Sequence, residues 1–458
     1  MSQIRQENVQ ITYKVPRENV RKLNFLYWNS MERNIIKKLL EWKAKENRQP
    51  LILTGARQVG KTWAMKEFGR RHFKKTAYIS LDSNPNMRIL FEKTVKPSEL
   101  LPFLNAQAGV EIDSETLLIF DEIQEVPKAL TALKYFCEEW PELPVIAAGS
   151  TLGVSLHSGV SFPVGKVEFL NLYPMSFAEF LDAIGETQTR AAIETKNYDL
   201  LNSFREKLLG ILKQYMFVGG MPEVVAEFVK TKGFIGVRKI QKKIITSYEK
   251  DFSKHTNAEM AVKLGLLWKS IPVQLSRENK KFLYGAVRNG ARARDFEVVI
   301  QWLQDSSLIH KVGRISNPSI PLKSYEEFGM FKIFMHDIGL LCAMSGVSSK
   351  IILDGDSIFK EFKGALAEQF VCQELLVKGE EPFYWSFQNS QAEIDFLLEH
   401  NDKIIPIEVK SGTNLRAKSL GVYIDKFKPQ LALRISEADY KISGNIIDLP
   451  LFAFWSWF

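Results

Sequence analysis

The chain has 458 residues, 45% of them apolar and 25% charged, with 61 Lys plus Arg against 53 Asp plus Glu for a formal net charge of +8. That balance is found in ordinary folded chains, and it excludes a wholly disordered, a collagen-like or a disulfide-stapled protein. The length calls for about three domains at ~150 residues each. The charge is uneven: residues 230–294 hold 16 Lys or Arg and 4 Asp or Glu, a net +12, whereas 356–458 hold 11 and 15, a net −4. Cys137, Cys342 and Cys372 lie far apart without paired spacing, which fits free thiols in a reducing compartment and no zinc site. The first twenty residues are polar, unlike a signal peptide, and no run reaches the ~20 apolar residues of a membrane helix. The expectation is a cytoplasmic protein with no membrane partner.

In chain order, residues 31–47 place Ile35, Ile36, Leu39 and Leu40 at helical spacing. Short apolar runs follow at 50–55, 76–82, 116–122 and 144–150, with helical stretches such as 126–140 between them. Short apolar strands alternating with helices imply a parallel sheet covered on both faces. The pattern is mostly helical from 176 to about 260. Residues 261–315 predict helices near 262–275 and 294–305 and a strand pair within 308–315, the order of a winged helix. A helix at 362–376 then precedes strand-like runs at 382–388, 392–400 and 403–411. The tail LFAFWSWF, 451–458, is expected as a terminal strand or a core plug. The chain thus divides into an N-terminal extension (1–30), an α/β core (31–175), a helical lid or linker (176–260), a winged-helix-like domain (261–350) and a C-terminal α/β domain (351–458).

The strongest motif is GARQVGKT: Gly55, Ala56, Arg57, Gln58, Val59, Gly60, Lys61 and Thr62, followed by Trp63. It matches the phosphate-binding pattern G-x-x-x-x-G-K-[ST] and stands between an apolar strand and a helix, as that pattern requires. Backbone N–H groups must point inward around phosphate oxygens, and the glycines permit it. The helix that starts there adds its positive end. Lys61 can reach the β- and γ-phosphates, and the Thr62 hydroxyl can ligate Mg²⁺. Sixty residues on, TLLIFDE carries Asp121 and Glu122 on the end of an apolar strand, beside the loop. Asp121 is the expected Mg²⁺ partner, and Glu122 the candidate general base for the attacking water. Gln124 and Ser150 are further sensor candidates. Ser150 suits either a contact to the γ-phosphate or attacking water, or a helix N-cap.

The stretch from this loop through DEIQ resembles AAA-type ATPases common in bacteria and archaea. The phrases VEFLNLYPMSFAEFL (167–181), YMFVGGMPEVV (215–225) and MHDIGLL (335–341) agree with that family. The resemblance runs from about residue 31 to the end. It implies a P-loop NTPase fold with ATP and Mg²⁺ as cofactors, and a C-terminal domain of unknown function with a restriction-endonuclease-like fold. It also raises the expectation of a homo-oligomer, since such sites often need a neighbour's arginine. It does not identify that arginine: Arg57, Arg277, Arg288, Arg292 and Arg294 are all candidates.

In AEIDFLLEH and IPIEVKS, Asp395 precedes Glu408 and Lys410. Side chains alternate along a strand, so Glu408 and Lys410 share a face. A hairpin at EHND would bring Asp395 near Glu408. With Glu368 on the preceding helix, this set looks like the PD-(D/E)xK constellation of metal-dependent nucleases, in which Asp395 and Glu408 ligate a metal and Lys410 stabilises developing charge. A salt-bridged strand face is the alternative. The basic segment 230–294 is a candidate DNA contact, with Arg288, Arg292 and Arg294 at or near the start of the second predicted helix. Contacts between domains or subunits are its alternative. Tyr248-Glu249-Lys250-Asp251 resembles a family phrase and carries no assigned role. Three functions therefore stand side by side: an ATP-driven switch, an ATP-gated nuclease acting on DNA, and a nucleotide-switched binding module with an inactive nuclease-like fold.

Overall fold

The computed structural model describes residues 32–150, 163–277, 280–354, 360–387 and 392–458; the N-terminal extension 1–30 lies outside them. Leu51–Thr54 (β1), Lys75–Ser80 (β2), Thr116–Asp121 (β3), Val145–Ala148 (β4) and Glu168–Asn171 (β5) form a parallel sheet in the order β2-β3-β4-β1-β5. Alternation along each strand decides which face a side chain joins. Leu51, Leu53, Leu117, Ile119, Ile146 and Ala148 enter one core, while Ile52, Leu118, Phe120, Val145 and Ala147 enter another. The sheet is therefore covered on both faces, as its near-continuous apolar strands require.

A second sheet of eight strands is mixed. It contains Ile309–Ile315 (β6), Glu326–Met335 (β7), Phe383–Ser386 (β8), Glu393–His400 (β9), Lys403–Val409 (β10), Ala432–Ser436 (β11), Lys441–Ser443 (β12) and Ile446–Pro450 (β13). Their order is β12-β13-β11-β10-β9-β8-β6-β7. The strand pair expected within 308–315 is instead one strand. Eight residues are too few for two strands and a turn, so β6 finds its antiparallel partner at β7, with a register shift at Gly313/Arg314. β6 also pairs in parallel with β8, so the sheet runs through the 350/351 boundary. The β9–β10 hairpin turns at Asn401 and Asp402, both at positive φ, the geometry that tight hairpins favour. The tail is a core plug and not a strand: Leu451–Ser456 is a buried 3-10 turn.

Helices Arg205–Val218, Pro222–Thr231 and Phe234–His255 lie between the two sheets in sequence, followed by Ala258–Leu275, Tyr284–Val287 and Ala293–Asp305. The three family phrases meet here. Asp337 is fully buried and accepts hydrogen bonds from the N–H groups of Gly220 (2.6 Å) and Leu340 (2.8 Å). Gly220 N–H points to that carboxylate while its carbonyl accepts from Met175 N–H at 2.7 Å. A Cβ on Gly220 would lie 2.1 Å from the Met175 carbonyl oxygen, so only glycine fits. The Lys360–Lys378 helix docks by side chains. Gln369 Oε1 accepts from Met335 N–H and its Nε2 donates to Met335 O, Gln373 bonds Ile338 and Tyr215, and Glu374 accepts from Phe177 N–H. One apolar core consequently runs from Leu51 in the first sheet to Trp455 in the tail.

Candidate nucleotide-binding site

The phosphate-binding loop leaves β1 at Gly55 and enters the Lys61–His72 helix after Gly60. Gly55, Gln58 and Gly60 all have positive φ, which folds the chain into a cradle. At Gly55 a Cβ would meet the Leu172 carbonyl oxygen at 2.2 Å. The cradle is braced from outside by Arg33, whose Nη1 donates to Val59 O (3.0 Å) and Nη2 to Tyr173 O (2.7 Å). A buried ion pair with Glu179, 3.1 Å away, fixes that guanidinium.

Lys61 is buried, with Nζ donating to the carbonyls of Gly55 (2.7 Å) and Ala56 (2.9 Å). Burial pushes its pKa down to about 8, while Glu122 and Asp121 oppose that shift. The Thr62 hydroxyl donates to Asp121 Oδ2 at 2.7 Å, and Tyr78 donates to the same oxygen at 2.9 Å. A hydroxyl beside a carboxylate is the donor set a hard divalent cation takes, so these residues fit Mg²⁺.

Glu122 has φ 54° and ψ 48°, a left-handed conformation unusual for a side-chain-bearing residue. Its carboxylate Oε2 accepts from Gln124 Nε2 at 2.7 Å and from Ser150 Oγ at 3.2 Å. Both sensor candidates thus hold the candidate base; the residues that would form a helix capped by Ser150 lie outside the described ones. Trp63 is half-buried and packs on the main core. Arg57 pairs with Asp251, and its carbonyl accepts from Tyr248 OH at 2.7 Å. Beside the loop, a cavity of about 140 Å³ is lined by Gly55, Ala56, Tyr173, Ser307, His310 and His336 among others. Arg33, Tyr78, Tyr248 and Asp251 escape a motif search because their partners are distant in sequence.

The C-terminal set also assembles, with different neighbours. Val409 N–H donates to Asp395 Oδ2 at 2.8 Å, and Glu408 pairs with Lys410 at 2.5 Å. The fully buried Lys332 places Nζ 2.5 Å from Glu393, 3.7 Å from Glu368 and 3.8 Å from Asp395. Lys280 pairs with Glu368. Burial, Glu368 and Glu408 push the Asp395 carboxyl well above the usual range. Asp395, Glu368, Glu393 and Glu408 stand with three ammonium groups, those of Lys280, Lys332 and Lys410. Among the described residues no group of three or more His, Cys, Asp or Glu is arranged to hold a metal ion. Lys332 stands inside the cluster, while one buried oxygen each of Glu368 and Glu408 has no hydrogen-bond partner. Lys332 had a signal of its own: it is a lone cation in the apolar run FKIFM, 331–335.

Residues 47–181 match the family profile of an AAA domain. Residues 210–351 and 363–453 match two domains of unknown function, DUF8612 and DUF4143. No curated protein matches the chain. Among solved structures, the Walker-type ATPase PABY2304 of Pyrococcus abyssi aligns at 14% identity and TM-score 0.44, over 69% of this chain and 96% of that one. The ORC1 protein of Aeropyrum pernix, solved in complex with DNA, aligns at 14% and 0.29, over 72% and 93%. The RuvB Holliday junction branch migration motor of Thermotoga maritima aligns at 15% and 0.26, over 66% and 90%. These three likenesses are too distant to inform the chemistry. The chain therefore carries an AAA-type, nucleotide-binding P-loop domain, joined to two segments whose families have no assigned function.

Proposed function

We propose that the protein is an ATP-hydrolysing switch whose phosphate-binding loop works through the helical and C-terminal parts of the chain. The observation that carries this reading is the convergence of Lys61, Thr62, Asp121 and Glu122 on one loop mouth at the carboxyl ends of β1 and β3. The loop N–H groups and Lys61 bind the β- and γ-phosphates of ATP. Mg²⁺, held by Thr62 and Asp121, supplies charge neutralisation on the phosphates when bound. Glu122 orients a water and takes its proton as the water oxygen bonds to the γ-phosphorus. The bond from that phosphorus to the bridging oxygen breaks, and ADP leaves with the electron pair. Gln124 and Ser150 hold the Glu122 carboxylate in line, which its left-handed backbone alone would not do.

For the C-terminal part, the ion-paired cluster supports a non-catalytic role over a metal-dependent nuclease. Glu408 accepts from Lys410 through Oε1, and Lys332 stands among the carboxylates that a metal would need. Partner recognition rests on the basic segment. Arg288, Arg292 and Arg294 are exposed around the start of the Ala293–Asp305 helix, and the order of three helices followed by β6 and β7 supports a winged-helix reading. Such a helix start is where a helix-turn-helix protein meets DNA. Residues of this kind make mainly phosphate contacts, with affinity that falls as salt rises.

Three outcomes are expected. Purified protein turns over ATP with Mg²⁺; Lys61→Ala abolishes turnover, and Glu122→Gln keeps ATP binding while slowing turnover about a hundredfold or more. Full turnover in Lys61→Ala would refute the site. Replacing Arg288, Arg292 and Arg294 together by alanine should weaken duplex DNA binding measured by fluorescence anisotropy and flatten its salt dependence; unchanged binding would move the contact elsewhere. Lys332→Met should lower stability in urea titration by about 3 kcal/mol, the cost of stranding buried carboxylates. A variant as stable as wild type that also gains Mn²⁺ affinity would restore the metal-site alternative.

A further inference from the structure

The phrase Tyr248-Glu249-Lys250-Asp251 has no part in the mechanism above, yet two of its side chains reach the phosphate-binding loop. Tyr248 and Asp251 lie three positions apart near the end of the Phe234–His255 helix, hence on one face. Tyr248, buried to 1% exposure, donates its hydroxyl to the Arg57 carbonyl at 2.7 Å, and His336 Nε2 lies 3.3 Å from the Tyr248 hydroxyl oxygen. His336 Nδ1 in turn donates to Leu308 O at 3.0 Å. Asp251 pairs with the Arg57 guanidinium, whose side chain remains 36% exposed. One helix therefore grips one loop residue by backbone and side chain at once.

Arg57 is the second cation of the loop. Lys61 is turned back onto loop carbonyls, whereas the Arg57 guanidinium is held by Asp251 and stays partly exposed. Its guanidinium has five donors in a planar fork, and a terminal phosphate offers more charge and more acceptors than one carboxylate. ATP and ADP differ by that terminal group, near which Glu122 must act.

We propose that Arg57 discriminates ATP from ADP, with Asp251 holding its guanidinium until a γ-phosphate displaces the carboxylate. Tyr248 keeps the Arg57 backbone in place during the exchange, so the loop itself need not unfold. Release of Asp251 leaves an unpaired carboxylate near the end of a helix that carries Arg238 and five lysines, linking phosphate state to the charge of the basic segment. The inference rests on the ATP reading of the same loop.

The test is fluorescence titration of the full chain with N-methylanthraniloyl-ATP and N-methylanthraniloyl-ADP. Arg57→Ala should lose about tenfold or more in ATP affinity, the worth of one charge-assisted hydrogen bond, and leave ADP affinity within about twofold. Asp251→Asn, which keeps shape and removes the competing charge, should tighten ATP binding and leave ADP unchanged. Equal losses for both nucleotides in Arg57→Ala, or weaker ATP binding in Asp251→Asn, would overturn the inference while leaving the nucleotide site standing. Failure of the wild-type chain to bind either nucleotide would overturn the ATP reading and this inference with it.

Discussion

Asp337 is a carboxylate with no exposure to water, and the arrangement of the whole chain depends on where its hydrogen bonds go. Burial pushes its pKa up to about 6, and backbone N–H groups of Gly220, Leu340 and Gly339 oppose that rise. Those donors come from the end of one helix segment and the start of another, more than a hundred residues apart in sequence. Unpaired, the group would cost several kcal/mol. Satisfied, it pins the Gly219-Gly220 bend against the stretch that follows β7. Met175 closes the same knot from the side of the AAA domain, because its N–H donates to Gly220 O. The three phrases with no derivable chemistry are thus the joint between the two sheets.

That joint explains why the nucleotide loop and the C-terminal cluster belong to one account. A parallel sheet must be covered on both faces. Here both covers include helices of the AAA domain, and the core under the Lys61–His72 helix continues through later helices to the second sheet. The second sheet then takes in β6 and β7 from the middle of the chain, and β7 delivers Lys332 into the carboxylate cluster. The ammonium groups of Lys280, Lys332 and Lys410 stand against the carboxylates there. They also tie the middle segment to the C-terminal one through Lys280 and Lys332.

Much of this was legible in the sequence where chemistry is local. The loop motif needs only its own backbone, and Asp121 follows from the end of an apolar strand. The Asp395 hairpin follows from two apolar runs around a four-residue turn. Long-range partners were not legible. Gln124 and Ser150 stand out as polar residues near the motif, but that both bond Glu122 depends on the β3–β4 register. Arg33 and Asp251 touch the loop from opposite ends of the AAA domain and its following helices, and no spacing rule connects them to it. The strand pair expected within 308–315 is one strand because the partner, β7, lies beyond that window, with Gly313 at a register shift in the longer pairing. Lys332 is not legible in the sequence because a single lysine in a strand reads as solvated unless its carboxylates are known.

On the proposed switch mechanism, the state of the phosphate-binding loop is felt across the Asp337 joint. Amide hydrogen exchange on the Glu122→Gln variant, with and without ATP, tests it most directly. The account predicts altered protection in the loop together with Phe234–His255 and the stretch from β7 through Lys360–Lys378. Changes confined to residues 55–62 and their flanking strands would contradict it.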